Sequence, residues 1–362
     1  MPPLSLLIKP VSGACNMRCE YCFYQDVMQN REKQVLPRMT LETLENLVRR
    51  AFVYAEGSVS FAFQGGEPTL IGVQWFEHLI RLQKKYNTRR IDVHNSVQTN
   101  GYCLSDELID LFAREKFLVG VSLDGDEKTH DLFRKDHAGN PTYHTVLKNI
   151  RRLQEKNVDF NILCVVTQAL AHRGRDIMDT LGDFPFLQFI PCLDALNGDK
   201  GAHSLTAEGY ARFLCDTFDV YYDGFDKGGL VSVRNFDNYI SMLLGAPPES
   251  CAMAGRCGLY YLIESDGSVY PCDFYVLDEW CMGNINQHGF VRLAKSEVGA
   301  AFRERSFPVP DDCRACRWYG LCRNGCCRER EADGVNKWCQ SYKRFFDYTY
   351  ERMQRLAARM RA

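Results

Sequence analysis

Most of the 17 cysteines in this 362-residue chain crowd into two zones, and that distribution limits what the chain can be. Cys15, Cys19 and Cys22 stand together after the first apolar run, and ten more lie between Cys251 and Cys339. Only Cys103, Cys164, Cys192 and Cys215 fall between the two groups. In a reducing compartment, cysteines clustered this way serve as metal ligands or catalytic groups rather than as structural bridges. The chain therefore has a metal-suspect zone toward each end.

Composition narrows the choice further. Lys and Arg number 44 against 46 Asp and Glu, a net charge of −2, which gives no electrostatic case for nucleic acid or an anionic membrane as the main partner. With 46% hydrophobic residues the chain has enough apolar surface for a large core, and disordered and collagen-like classes are excluded. The longest charge-free stretches, such as Phe160 to His172, fall short of the ~18 apolar residues of a spanning helix. Met1 to Pro10 is too short for a signal peptide. The expectation is a soluble, cytoplasmic protein.

From residue 4 to 193 short apolar runs alternate with segments of helical period. Strands are expected at Leu4–Lys9, Ser58–Phe63, Ile91–Gln98, Phe117–Leu123, Val158–Val166 and Phe186–Pro191. Helices are expected between them, the first after Thr40 as N-cap and the others near 73–86, 105–116, 143–156 and 173–182. Parallel strands need a returning helix, so the pattern reads as α/β, a partial barrel first and an open doubly wound sheet second. Beyond residue 200, Leu205–Lys227 and Asn235–Leu244 read as helices, and Gln340–Arg361 as a helix covering loops with Phe345, Tyr348, Met353 and Leu356. The unusual residues follow the expected strands: the cysteine loop the first, Gly65-Gly66-Glu67-Pro68 the second, Thr99-Asn100-Gly101 the third and Asp124-Gly125 the fourth. In such folds sites form at the carboxyl edge of the strands.

Three thiolates within eight residues, without a fourth nearby, suit a four-iron cluster with one iron left open. An open coordination position binds and activates a molecule, whereas a closed one is structural; the alternative is a structural zinc site. Cys15-x3-Cys19-x2-Cys22, with Tyr21 before the last cysteine, resembles the radical S-adenosylmethionine (SAM) enzymes. The resemblance implies that the open iron chelates SAM, and that an electron from the cluster breaks a C–S bond to give a 5′-deoxyadenosyl radical. Gly65-Gly66-Glu67-Pro68 fits the same family, where the glycines let backbone approach the methionine moiety. By resemblance Tyr21, Gly66, Ser122, Arg134 and Leu193 contact SAM; Arg134 has a rival reading as a surface charge beside Asp131 and Asp136.

Toward the other end, Cys257, Gly267, Cys272, Cys313-x2-Cys316-x5-Cys322-x3-Cys326 and Cys339 resemble the seven-cysteine SPASM signature of peptide-modifying radical SAM enzymes with two auxiliary clusters. Cys251 is an eighth candidate. The resemblance implies that Cys251, Cys257, Cys272 and Cys326 hold one auxiliary cluster, and Cys313, Cys316, Cys322 and Cys339 the other. Cys103, Cys164, Cys192, Cys215, Cys281 and Cys327 are then left as small buried hydrophobes. The implied organisation is a partial (β/α)6 TIM-like barrel with a helical extension over 1–235, a SPASM domain over 236–345 and a C-terminal helix over 346–362. The spacing alone does not separate these sites from zinc ribbons, nor Cys326 from Cys327 as a ligand.

Longer segments narrow the resemblance: Pro2 to Pro10, Phe61-Ala-Phe-Gln-Gly-Gly-Glu-Pro-Thr69, Gln98-Thr-Asn-Gly101, Asn161 to Thr167 and Glu264 to Tyr275 are similar to the anaerobic sulfatase-maturating enzymes. The implied reaction oxidises a cysteine or serine of a sulfatase to Cα-formylglycine, using SAM and three 4Fe-4S clusters. The implied partners are an unfolded sulfatase or its Cys/Ser-x-Pro-x-Arg peptide and a low-potential electron donor such as flavodoxin or ferredoxin. Asp273, next to Cys272, is the general-base candidate, with a second reading as a carboxylate that caps a helix or supports the cluster. Tyr24 and Gln64 are candidates for positioning substrate. Two other functions stay open: a SPASM enzyme that forms a thioether or C–C crosslink, and a zinc-stabilised interaction protein.

Overall fold

The computed structural model describes residues 3–226, 228 and 231–361. Pro2 and Lys227, which belong to expected segments, lie outside the described residues. The chain divides into two compact units that alternate along the sequence: Met1–Ser122, Arg134–Phe160 and Leu259–Phe302 form one, and Leu123–Phe133, Asn161–Gly258 and Arg303–Ala362 the other.

All six expected strands are present within two residues of their expected bounds: β1 Leu4–Ile8, β2 Ser58–Phe63, β3 Asp92–Thr99, β4 Leu118–Ser122, β5 Phe160–Val166 and β6 Phe186–Pro191. Alternation builds them. In β2 Val59, Phe61 and Phe63 face the core, and in β5 Phe160, Ile162, Cys164 and Val166 do so. Helices return the chain at Leu41–Tyr54, Val73–Tyr86, Asp106–Arg114, Tyr143–Glu155 and Gly174–Leu181. Thr40 caps the first of these by accepting from Thr43 N at 3.1 Å.

Within the first unit, β1, β2, β3 and β4 lie side by side in parallel, with Ile8 opposite Phe63 and Phe63 opposite Val97. Three short strands extend this sheet beyond β1: β8 Leu262–Ile263 pairs with β1 in parallel, and β9 Ser268–Tyr270 and β10 Gly283–Asn284 add antiparallel to it. The sheet is therefore mixed, an addition the sequence reading did not contain. Phe63, Phe76, Phe112 and Phe117 form the aromatic centre of the unit.

In the second unit β5, β6 and β7 (Ser232–Val233) are parallel neighbours. Helices Ala207–Asp226, Arg234–Leu243 and Cys339–Arg361 meet through Phe218, Phe236 and Phe345. Phe345, Met353 and Leu356 are buried as expected, but Tyr348 is 52% exposed, with its hydroxyl donating to Asp219. Among the described residues no helix is long and apolar enough to cross a membrane.

Candidate active site

β1 ends at Ile8, and the loop that follows carries Cys15, Cys19 and Cys22 before the helix Phe23–Gln29 begins. Neighbouring backbone holds this loop in place. Gly66 N donates to Ser12 O at 2.8 Å, Glu67 N to Ala14 O at 2.7 Å, and Arg18 N to Lys135 O at 2.8 Å. His137 Nε2 donates to Cys15 O at 2.9 Å. The fit at Gly66 tolerates no side chain, because a Cβ there would stand 2.0 Å from Ala14 O.

The three cysteines are half-buried, and donors point at two of their sulfurs. Met17 N and Asn100 Nδ2 donate to Cys15 Sγ at 3.4 and 3.5 Å, and Arg134 donates to Cys19 Sγ at 3.9 Å. Burial pushes the Cys15 thiol up to about 11, and a coordinated metal would draw it the other way. Soft thiols surrounded by N–H donors fit an iron-sulfur cluster. Among the described residues no three His, Cys, Asp or Glu side chains share one ion-sized site; a four-iron cluster instead takes each thiolate on a different iron.

Glu67, fully buried, ties the ends of β2 and β3 together. Its Oε1 accepts from Thr69 N at 3.1 Å, Thr69 Oγ1 at 2.6 Å and Thr99 Oγ1 at 2.9 Å, and its Oε2 accepts from Asn100 N at 2.7 Å. Burial raises its pKa, and these donors oppose the shift. Sequence reasoning treated Glu67 only as part of a motif. Asn100 likewise entered only as part of the Thr99-Asn100-Gly101 segment, and His137, in the loop after the helix Glu127–Phe133, carried no site signal.

Asp273, Tyr24 and Gln64 come together, although they are far apart in sequence. Gln64 Nε2 donates to Asp273 Oδ2 at 3.0 Å and to Tyr24 OH at 2.6 Å, while Tyr24 OH donates to the same Asp273 oxygen at 3.4 Å. Cys272 Sγ lies 3.6 Å from Asp273 Oδ1. Burial raises the Asp273 carboxyl, against hydrogen bonds from Cys272 and its own backbone N–H and the charge of Lys9. Burial and the adjacent Asp273 charge also hold the Tyr24 phenol well above its ordinary value, so it stays a proton donor. The short turn Asp273–Tyr275 has Cys272, not Asp273, at its N-cap.

The expected SAM contacts fall as follows. Tyr21 lies in the cysteine loop, with the Arg134 guanidinium 5.4 Å from its ring centroid. Arg134 is only 6% exposed, which overturns the surface-charge reading. Ser122 ends β4 and accepts from Gln98 Nε2 at 3.3 Å. Leu193 belongs to the second unit, two residues past β6 and half-buried.

Also in the second unit, Cys313, Cys316, Cys322 and Cys339 converge. Burial raises the Cys322 thiol to about 12, and charge on Cys339, Cys313 and Cys316 pushes the same way. Cys326 is likewise raised by burial, with Cys251 among its neighbours. Cys257 hydrogen-bonds to Cys327, whose pKa that bond and nearby arginines lower. Cys272 lies in the first unit. Of the six leftover cysteines only Cys164 and Cys192 are buried; Cys103 is exposed and Cys215, Cys281 and Cys327 are intermediate, which corrects the reading of all six as core residues.

Residues 10–179 match the radical SAM superfamily, and residues 251–317 match SPASM, an iron-sulfur cluster-binding domain. A cysteine-type anaerobic sulfatase-maturating enzyme of Clostridium perfringens is 43% identical over 366 residues, which cover 99% of each chain. The chain belongs to the anaerobic sulfatase-maturating enzymes. A serine-type anaerobic sulfatase-maturating enzyme of Klebsiella aerogenes is 29% identical, over 95% of this chain and 84% of its own. The solved structure of anSMEcpe with bound AdoMet superposes with a TM-score of 0.95 at 42% identity, covering 99% of this chain and 96% of that one. Another anSMEcpe structure, holding AdoMet and the Kp18Cys peptide, matches equally well, with a TM-score of 0.95. Sulfatase-maturating enzymes with these two domains are radical SAM oxidoreductases that carry SAM and iron-sulfur clusters, and the zinc-stabilised interaction protein is set aside.

Proposed function

We propose that this chain oxidises a cysteine or serine side chain of an unfolded sulfatase, within a Cys/Ser-x-Pro-x-Arg segment, to Cα-formylglycine. When bound, SAM and three 4Fe-4S clusters supply the radical that takes one hydrogen from the substrate Cβ and the acceptor for the electron left behind. Cys15, Cys19 and Cys22 hold the cluster that meets SAM. Cys251, Cys257, Cys272 and Cys326 hold one auxiliary cluster, and Cys313, Cys316, Cys322 and Cys339 the other. Tyr21, Gly66, Ser122, Arg134 and Leu193 bind SAM. The working division of the chain is 1–235 for the radical chemistry, 236–345 for the auxiliary clusters and 346–362 for the closing helix.

The observation that carries the reading is the Asp273 carboxylate, reached by Gln64 and Tyr24 across 209 and 249 residues of sequence. A carboxylate whose pKa burial raises, while it is still hydrogen-bonded, accepts the thiol or hydroxyl proton once the Cβ hydrogen has gone. Gln64 and Tyr24 fix Oδ2, and each is half-buried, so one side of the cluster stays within reach of a peptide. The higher identity to the cysteine-type relative, 43% against 29% for the serine-type one, favours cysteine as the preferred substrate. The relatives' description as anaerobic enzymes and the many cysteines outside disulfides favour a cytoplasmic, anaerobic setting, with flavodoxin or ferredoxin as electron donor.

The test is anaerobic reconstitution with iron and sulfide, then SAM, dithionite and Cys- or Ser-containing peptide. The expected product is a peptide aldehyde that reacts with a hydrazide, formed with 5′-deoxyadenosine. A thioether or C–C crosslink in place of the aldehyde, or no 5′-deoxyadenosine, would overturn the proposal.

A further inference from the structure

Three buried charges bond to one another, one of them against the Tyr24 ring of the Tyr24–Gln64–Asp273 cluster, and the chemistry above uses none of them. Lys9, directly after β1, is 0% exposed, as is Glu264 directly after β8, and Arg31 is 6% exposed. Lys9 Nζ donates to Glu264 Oε1 at 2.6 Å and Arg31 Nη1 donates to the same oxygen at 2.7 Å. Arg31 Nη2 also donates to Ser12 Oγ at 2.9 Å, in the loop that leads to Cys15. Two cations share one carboxylate, so the group carries a net positive charge away from water. Such a charge is costly unless something negative faces it.

The Tyr24 ring does: Lys9 Nζ stands 5.2 Å from its centroid, over the electron-rich face. At the far end of the Tyr24 ring the hydroxyl meets Gln64 and Asp273. Gly65 completes the arrangement: its φ is +119°, and a Cβ there would press on Lys9 Cγ at 2.8 Å. Lys9 is therefore fixed by Glu264 on one side and by backbone on the other, with the Tyr24 ring against its charged end.

We infer that Lys9 is a positioning residue for the oxidation, its ammonium anchored by Glu264 and clamping the Tyr24 ring so that the phenol and Gln64 hold Asp273 toward the substrate. The inference rests on Asp273 as the base proposed above. Lys9 sets how often a hydrogen abstraction proceeds to product, and leaves the abstraction itself to the cysteine loop.

The variant is Lys9→Met, which keeps length and volume and leaves Glu264 paired one-to-one with Arg31. Two quantities are read in the reconstituted enzyme with SAM, dithionite and Cys peptide: 5′-deoxyadenosine, and formylglycine per 5′-deoxyadenosine. A third readout needs no turnover: the 13C-tyrosine NMR signal of Tyr24, assigned by its loss in Tyr24→Phe. The expected result is 5′-deoxyadenosine within about twofold of wild type and a product ratio down roughly tenfold, the worth of a desolvated cation–π contact. The Tyr24 signal should shift, and Lys9→Arg should restore most of the ratio. An unchanged ratio and unmoved Tyr24 signal in Lys9→Met would overturn the inference. So would loss of iron and of 5′-deoxyadenosine in both Lys9→Met and Lys9→Arg, which would make Lys9 only a structural support. Wild-type enzyme that releases 5′-deoxyadenosine but no formylglycine would instead refute the proposed function, and the Tyr24 signal would still report the clamp.

Discussion

Gly66→Ala is the substitution whose consequence follows most directly from the geometry. The added methyl would stand 2.0 Å from Ala14 O and 2.6 Å from Ala14 C and Gly13 C, all backbone atoms that no rotamer change can move aside. A normal contact needs ~3.5 Å, so the cysteine loop must retreat by roughly 1 Å or more. That displacement disrupts the 2.8 Å bond from Gly66 N to Ser12 O and the 2.7 Å bond from Glu67 N to Ala14 O. Two such bonds at about 0.5–1.5 kcal/mol each, with about 1–3 kcal/mol for overpacking, give a cost of about 2–6 kcal/mol. The burden falls on the loop that holds Cys15, Cys19 and Cys22, so local release is expected before global unfolding. Anaerobic iron analysis of the reconstituted variant should fall from about twelve irons to about eight, with the auxiliary clusters kept. Release of 5′-deoxyadenosine should fall with it. Full iron and wild-type 5′-deoxyadenosine in Gly66→Ala would show that the close approach to Ala14 does not govern this site.

Four further outcomes are expected. Cys15→Ala should abolish SAM cleavage, measured chromatographically as 5′-deoxyadenosine. Asp273→Asn should keep 5′-deoxyadenosine release and suppress formylglycine; an undiminished aldehyde yield would remove Asp273 as the base. Cys339→Ala should bind about four fewer irons while SAM cleavage persists, and loss of SAM cleavage alongside would contradict the separation of the two sites. Arg330 donates to the carbonyls of Asn324, Ser306, Gly255 and Gly325 at 3.2, 3.1, 2.8 and 3.3 Å, bracing segments next to Cys257, Cys322 and Cys326. Arg330→Met should therefore lose auxiliary iron to a chelator at least several-fold faster than wild type, followed by absorbance.

Local features of the sequence announced the frame. β2 alternates strictly, Thr40 caps its helix as expected, and the CxxxCxxC and Gly-Gly-Glu-Pro segments sit just past β1 and β2 as read. The parts that escaped have a common cause. β8 and β10 are two residues long and β9 three, too short for any period to register. The helix Phe23–Gln29 buries only Val27 and so shows no apolar stripe. Lys9 and Glu264 look like solvated charges until the structure brings them together across 255 residues. Arg134 admitted a rival reading as a surface cation beside its SAM role for the same reason, since its contact with Cys19 is not visible in the sequence. Spacing named the cysteines, but it did not show that Cys257 contacts Cys327.

The Lys9–Glu264 pair has a bearing on biosynthesis. A ribosome adding roughly 5–20 residues per second takes about 13–50 s to travel from one partner to the other. Until Glu264 has been made, the Lys9 ammonium lacks the carboxylate it meets in the folded unit, and burying it alone is costly. The first unit therefore closes its buried charge pair only after residues from both ends of its sequence have met.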